Sequence, residues 1–466
     1  MNIHINIPAF WKRRFPEQPH LPTHLPRLLL AEKYEPRFVR QCPVTQSIMP
    51  LLTLLDWEQL PTTFSNKRTG WHTIPLAAYV GAYMLKLDRQ LPTFGSLYRF
   101  LREHPALIWA LGFPLVPDQR SSCGFNIEAS LPTQRHLNRK LSEIPNEALQ
   151  NLLDAQVVWL QEHLDDSFGQ IISLDTKHIL SWVKENNPKA YIKEGRFDKN
   201  QQPAGDPDCK LGCKRRHNQN TPTKEGRPAK NVSVGEYYWG YASGAVATKL
   251  AGIGEFVLAE TTNTFDQSDV SYFFPLMEHV ERRLGFRPPF GTADAAFDAF
   301  YVYDYFHNDA HDGFAAVPLR QINQTRRFDG NGLPLCSAEL AMPLVSSYVN
   351  RTSLVQHRRG RYVCPLFYPE PTGDTCPVDH KKWHESGCRL VMPTAVGARI
   401  RYQLDRESER YKAVFKERTA VERIFSQAVA LGIERPKLRN QRAIANQNTL
   451  TYILINLRAM QRISQS

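Results

Sequence analysis

Three acidic residues occupy places from which a chain can do phosphate chemistry. Asp175 ends the apolar run Gly169-Gln-Ile-Ile-Ser-Leu-Asp, and Asp294 ends a run that begins at Phe290. Glu422 lies in Glu417-Arg-Thr-Ala-Val-Glu-Arg-Ile-Phe425. Carboxylates are the hard-oxygen donors that Mg²⁺ prefers, and two such ions can clamp the attacking and leaving oxygens of a phosphodiester. Taken singly, each residue also looks like an ordinary surface or capping acid. Asp298 rivals Asp294 as a ligand, but it comes four residues later and suits the start or cap of a helix. Arg418 precedes Glu422 by four, so both project from one helix face.

Holding such groups requires strands and a helix, and the hydrophobic pattern supplies them. Residues 169–175 read as a short strand, 232–242 and 256–262 as two more joined as an antiparallel meander, and 290–294 and 314–319 as a further pair. Helices are expected over 268–284, 297–307 and around Glu422, where Phe415, Val421, Phe425 and Val429 mark an amphipathic face. A last helix, apolar from Leu450 to Ile463, closes the core. Strands followed by alternating helix and strand predict an α/β fold with a mixed sheet flanked by helices. Residues 1–165 read instead as a helical domain, with helices at 73–88, 93–104 and 133–164. The catalytic part then spans 166–466, and 320–399 is an inserted subdomain, because a structureless loop of that length is rare.

The chain has 466 residues and 58 Lys+Arg against 46 Asp+Glu, a net charge of +12. From Arg401 to Ser466 there are 13 basic and 6 acidic residues, so more than half of the excess lies in the last seventh. That concentration points to a polyanion such as DNA. Two basic segments could make such contact. Lys210, Lys214, Arg215 and Arg216 fall in 186–230, which reads as a long exposed loop, and Arg435, Lys437, Arg439 and Arg442 follow the Glu422 helix. No apolar run is long enough to span a bilayer, and Lys12-Arg-Arg14 is not followed by an apolar segment. A soluble cytoplasmic protein with no membrane partner is expected, its eight cysteines reduced.

Cys376, His380, His384 and Cys388 recur every four residues, with Cys364 and Cys336 upstream. On one straight helix that stripe spans about 18 Å, too far to share one ion. A structural zinc would need Cys364 or Cys336 to join two of the four, so reduced, partly buried thiols are the expected state here and at Cys209-x3-Cys213-x3-His217.

In order and in element type, the three acidic segments resemble those of bacterial insertion-sequence transposases of the DDE superfamily, which have an RNase H-like fold. The likeness covers about residues 170–460. Ala293-Asp-Ala-Ala-Phe-Asp298 is similar to the family's Asp-Gly-Tyr-Asp-like signature, with Phe297 where Tyr is common. Arg418 and Glu422 fit its Tyr-x2-Arg-x3-Glu-x6-Lys signature, with Phe415 and Val429 at the Tyr and Lys positions. The resemblance implies that Asp175, Asp294 and Glu422 hold two Mg²⁺ ions, replaceable by Mn²⁺, for DNA cleavage and strand transfer. It also implies that Arg418 orients a phosphate, that residues 1–165 bind the element ends, and that the protein acts on double-stranded DNA as a homodimer.

Overall fold

A computed structural model with side chains describes residues 22, 24–62, 74–187, 196–218, 232–307, 312–320, 325–378 and 387–465, without the side chains of 214–218 and 232–235. Helices occupy the first part: α1 (Arg37–Arg40), α2 (Pro43–Leu52), α3 (Leu76–Asp88), α4 (Phe94–Glu103), α5 (Pro105–Ala110), α6 (Gln134–Glu143) and α7 (Asn146–His163). Every residue of α3 from Leu76 to Leu85 is buried, as befits a helix apolar on all sides. Helix α4 starts on a capping box, with Thr93 Oγ1 accepting from the Ser96 N–H at 3.0 Å and Ser96 Oγ from the Thr93 N–H at 3.0 Å. The single helix expected over 133–164 is two. Pro145 offers no N–H and holds Ile144 in an extended conformation (φ −63°, ψ 127°), which ends α6 and starts α7.

The sheet comes next, as β1 (Ile171–Leu180), β2 (Lys210–Asn218), β3 (Val232–Leu250) and β4 (Gly254–Thr264). Helix α8 (Phe273–Leu284), β5 (Phe290–Thr292), α9 (Phe300–Phe306) and β6 (Phe314–Ala316) follow. The strand order is β4–β3–β1–β5–β6, with β1, β3 and β4 antiparallel and β5 and β6 parallel to β1. This is a mixed α/β sheet flanked by helices. Two expectations need correcting. Strand β1 runs five residues beyond Asp175, which is therefore internal to the strand rather than its last residue. Residues 210–218, read as loop from their charge, form β2, paired with β3 from Lys210↔Gly240 to Asn218↔Val232. Buried Cys209 and Leu211 anchor that strand, and the long aromatic strand β3 gives its backbone a partner.

Beyond β6, β7 (Leu344–Asn350), β8 (His357–Val363) and β9 (Arg389–Pro393) make a separate three-stranded antiparallel sheet within the insertion. The chain then returns through α10 (Val396–Gln403), α11 (Glu409–Lys416), α12 (Thr419–Ala430) and α13 (Gln441–Gln465). Ser243 and Gly244 show how the main sheet is covered. The Ser243 hydroxyl meets the Tyr452 hydroxyl of α13 at 2.9 Å on one face, and Gly244 faces Tyr272 and Leu276 of the α8 region on the other.

Helix α13 carries polar side chains into the core, and two of its asparagines bind backbone groups of other elements. Asn446 Nδ2 donates to the Leu141 and Ile144 carbonyls at 2.7 and 2.8 Å, closing the C-terminal end of α6. Asn456 pairs with both backbone groups of Val257 at 2.9 Å, beside a bulge in the β3–β4 ladder. One continuous apolar core includes residues of α3, α7, β1, β4 and α13. Among the described residues, no helix is long and apolar enough to cross a membrane.

Candidate active site

Parallel register brings the first two acids together. Thr292 of β5 pairs with Ser173 of β1, so Asp294 and Asp175 each come two residues further along neighbouring chains, whose spacing in a sheet is about 4.8 Å. Gly291 permits this: a Cβ there would stand 2.1 Å from the Phe306 ring, which packs α9 directly onto β5. Side chains alternate along β1, so Asp175 points to the same face as Ser173, the face covered by α12. Ser173 Oγ itself accepts a hydrogen bond from the Val421 N–H, next to Glu422.

Both aspartates are fixed by backbone donors. Asp175 Oδ1 accepts from the Thr176 N–H at 2.7 Å, and Asp294 Oδ1 accepts from the Ala296 N–H at 2.8 Å, capping the short turn Ala295–Phe297. Burial pushes the Asp175 carboxyl up to about 7 against the Thr176 hydrogen bond; the charges of Asp294 and Asp269 add to the rise and Arg418 opposes it. Asp294 and Arg418 thus both lie within electrostatic reach of Asp175.

Glu422 joins them through Arg418. Its Oε1 lies 2.8 Å from the Arg418 guanidinium, the i,i+4 pairing that the spacing anticipates, and its side chain is half exposed. Among the described residues, no three His, Cys, Asp or Glu side chains stand close enough to hold one ion as they are. The donor set nonetheless suits a hard cation. Two backbone-held carboxylates sit side by side, and a third is carried by a helix bonded to the same strand.

Asp298 is committed elsewhere. It is paired with Arg401, takes the Tyr303 hydroxyl at 3.0 Å and the Arg320 N–H at 2.8 Å, and its side chain is fully buried. Asp269, which the sequence does not single out, stands beside the pair: its Oδ1 accepts from Thr176 Oγ1 at 2.5 Å, and burial, together with the charge of Asp294, raises its carboxyl. Its position follows from the β1–β3–β4 pairing, and no motif spacing announces it.

The basic residues are distributed along one end of the sheet. The Leu180 N–H bonds the Glu434 carbonyl at 2.9 Å and the Trp182 N–H bonds the Leu438 carbonyl at 3.3 Å, so residues 434–438 dock on the end of β1. Leu180 lies about 16 Å along the strand from Asp175. Exposed Arg435, Lys437 and Arg439 project there, whereas Arg442, also exposed, lines a separate cavity with Asn146, Thr261 and His279. Lys437 Nζ sits 5.7 Å from the ring centre of half-exposed Trp182, and Arg439 Nε bonds the Trp182 carbonyl at 3.2 Å. Lys210 is exposed at the start of β2. Lys214, Arg215 and Arg216 have backbone positions in that strand, and their side chains lie outside the described residues, as do His380 and His384. Cys209 is buried with its thiol on the Asp206 carbonyl, while Cys213 is exposed further along the strand.

In comparison with known proteins, no family profile matches the chain, and no curated protein matches it significantly.

Proposed function

We propose that this protein is a DDE-type DNA transposase with an RNase H-like core, which binds the terminal inverted repeats of its element and catalyses Mg²⁺-dependent strand cleavage and strand transfer. The observation that carries the reading is the register that sets Asp175 beside Asp294, with the Glu422 helix hydrogen-bonded to the same strand. A sheet with an antiparallel meander on one side and parallel strands on the other supports the RNase H-like assignment.

Asp175, Asp294 and Glu422 would hold the metal. When bound, two Mg²⁺ ions, or Mn²⁺ in their place, supply the positive charge that in-line displacement at phosphorus needs. The chain's own groups do the positioning. The Thr176 and Ala296 N–H groups hold one oxygen of each aspartate. Arg418, paired with Glu422, would offer its guanidinium to a phosphate oxygen. Arg435, Lys437 and Arg439, with Lys210 and its neighbours on β2, extend the contact along the DNA backbone. Two element ends must meet, which calls for a homodimer on DNA.

The test is to incubate the protein with Mg²⁺, a labelled element end and a target plasmid. Joined products support the transposase. Cut ends without joining indicate a hydrolytic nuclease on the same fold, and a gel shift alone a protein that only binds DNA.

A further inference from the structure

A cavity of about 550 Å³ opens between α3, α4, α6 and the segment that docks on the end of β1. Three cations line it from three places in the chain. Lys86 comes from the last turn of α3, Arg135 from the first turn of α6, and Lys437 from the docked segment. No carboxylate is among the described residues that line it.

These charges are unmatched. Arg139 and Lys140, further along α6, both reach Glu143, at 3.0 and 3.7 Å. Among the described residues, Lys86 and Arg135 have no such partner. Lys86 is half-buried, with its Nζ 5.5 Å from the centre of the Phe94 ring. Burial pushes its ammonium down to about 8, and no acid opposes the shift.

Two helix starts add to the positive charge. Thr93 caps α4 by accepting from the Ser96 N–H, and Thr133 caps α6 by accepting from the His136 N–H at 3.2 Å. Each cap serves the third N–H of its helix. Those of Phe94, Gly95, Gln134 and Arg135 have no partner among the described residues. Gly95 lets the two starts abut, since a Cβ there would stand 3.2 Å from the Gln134 amide. Three cations and two positive helix ends repel one another across one cavity, and an anion between them reverses that.

The surroundings indicate which anion. The docked segment bonds β1, the strand of Asp175. Its Arg435, and Arg439 just after it, line a second cavity around Trp182. A row of cations therefore continues from the first cavity along the end of the sheet, which suits a chain of phosphates better than a lone small anion.

We propose that the cavity grips a backbone phosphate of DNA, held by Lys86, Arg135 and Lys437 and by the first N–H groups of α4 and α6. The inference rests on the reading of this protein as one that acts on DNA, and it adds a site that none of the three catalytic acids lines. The phosphate joins the helical first part to the segment docked on the catalytic strand, so one contact sets both on the same duplex.

The experiment is fluorescence anisotropy of the full-length protein on a labelled duplex across a salt series. Lys86→Met keeps an apolar stem against Phe94 and removes the charge. Lys86→Met and Arg135→Gln should each weaken binding several-fold and lower the slope of log affinity against log salt by about one. Lys86→Arg should restore most of the affinity. Arg139→Gln, whose charge Glu143 already matches, should leave the slope unchanged. Duplexes with a single neutral methylphosphonate then locate the phosphate: at one position the wild type should lose affinity and Lys86→Met should lose no more. Should Lys86→Met fail to fold, Arg135→Gln supplies the same comparison.

Unchanged slopes in both variants, while the wild type binds DNA, overturn the cleft and leave the transposase reading standing. So does a slope that falls as much with Arg139→Gln, which would mean a diffuse basic surface. Inorganic phosphate that stabilises the wild type but not Lys86→Met, with DNA affinity untouched by either change, would make this a small-anion site and overturn the proposal too. The expected losses in a protein that never cleaves DNA support the cleft and count against the transposase reading, and a wild type that binds no DNA overturns both.

Discussion

Ser173 caps a helix that belongs to a distant part of the chain: its Oγ accepts the Val421 N–H at 3.1 Å. Val421 is the third residue of α12, so this N–H has no partner within its own helix, and the N-cap residue Arg418 supplies no side-chain cap. The same hydroxyl donates to the Ala247 carbonyl at 3.3 Å. One small side chain thus ties β1 to β3 and to the helix bearing Glu422, two residues before Asp175.

Ser173→Ala therefore leaves a buried N–H unpaired and loosens the Glu422 helix against the strand. The variant should lose about 1–2 kcal/mol of stability in urea unfolding. Mg²⁺-dependent cleavage should fall further than the folded fraction does. Cleavage that tracks the folded fraction alone would mean the tie serves stability only.

Asp175→Asn, Asp294→Asn and Glu422→Gln each remove a charged oxygen donor with little change in shape. Each should abolish cleavage of a labelled element end while gel-shift binding of that end persists. A variant that still cleaves at the wild-type rate removes its residue from the metal set.

Asp298→Ala should behave differently, since it strands the Arg401 guanidinium rather than a metal. Losing one partner of so buried a pair costs about 3 kcal/mol. The defect should appear in thermal unfolding without metal, and excess Mg²⁺ should not restore it.

Glu260 sets a pH dependence. It accepts from Gln150 Nε2 at 2.5 Å and Thr449 Oγ1 at 2.6 Å, and burial pushes its carboxyl up to about 7 against those two bonds and the charge of Arg283. The unfolded chain releases this proton near the ordinary value of 4.5. Its stabilising contribution is thus complete below that pH, declines as pH rises towards 7, and is gone above it. Glu260→Gln should flatten that decline in unfolding measured from pH 4 to 8. At pH 8 the variant should gain up to about 3 kcal/mol over wild type.

Arg435→Gln, Lys437→Gln or Arg439→Gln should weaken binding to all DNA sequences alike and lower the slope of log affinity against log salt by about one each. Fluorescence anisotropy across a salt series measures this. An unchanged slope would return the segment to a solvated surface.

Much of the arrangement could be read from local pattern. The apolar runs before Asp175 and Asp294 mark strands, and the spacing of Phe415, Val421 and Phe425 marks the helical face behind Glu422. The i,i+4 step to Arg418 is observed as an ion pair. What local pattern hides is pairing at a distance. Strand β2 looks like a loop because its charges mask a backbone that β3 completes. Asp269 reaches the site only through the meander. Cys376 and Cys388 show a helical spacing in sequence, whereas Cys376 lies in a loop and Cys388 directly precedes β9.

Helix α13 bears on how the chain can be made. Its asparagines close α6 on one side and fill the irregular edge of β4 on the other. A ribosome delivers residues 441–465 only after everything they bind. Until they emerge, the meander and the early helices expose the surface that α13 will cover, and neither half of the molecule can finish alone. Assembly is therefore completed after synthesis has passed residue 465, and a nascent chain stalled before it should be a preferred client of holding chaperones.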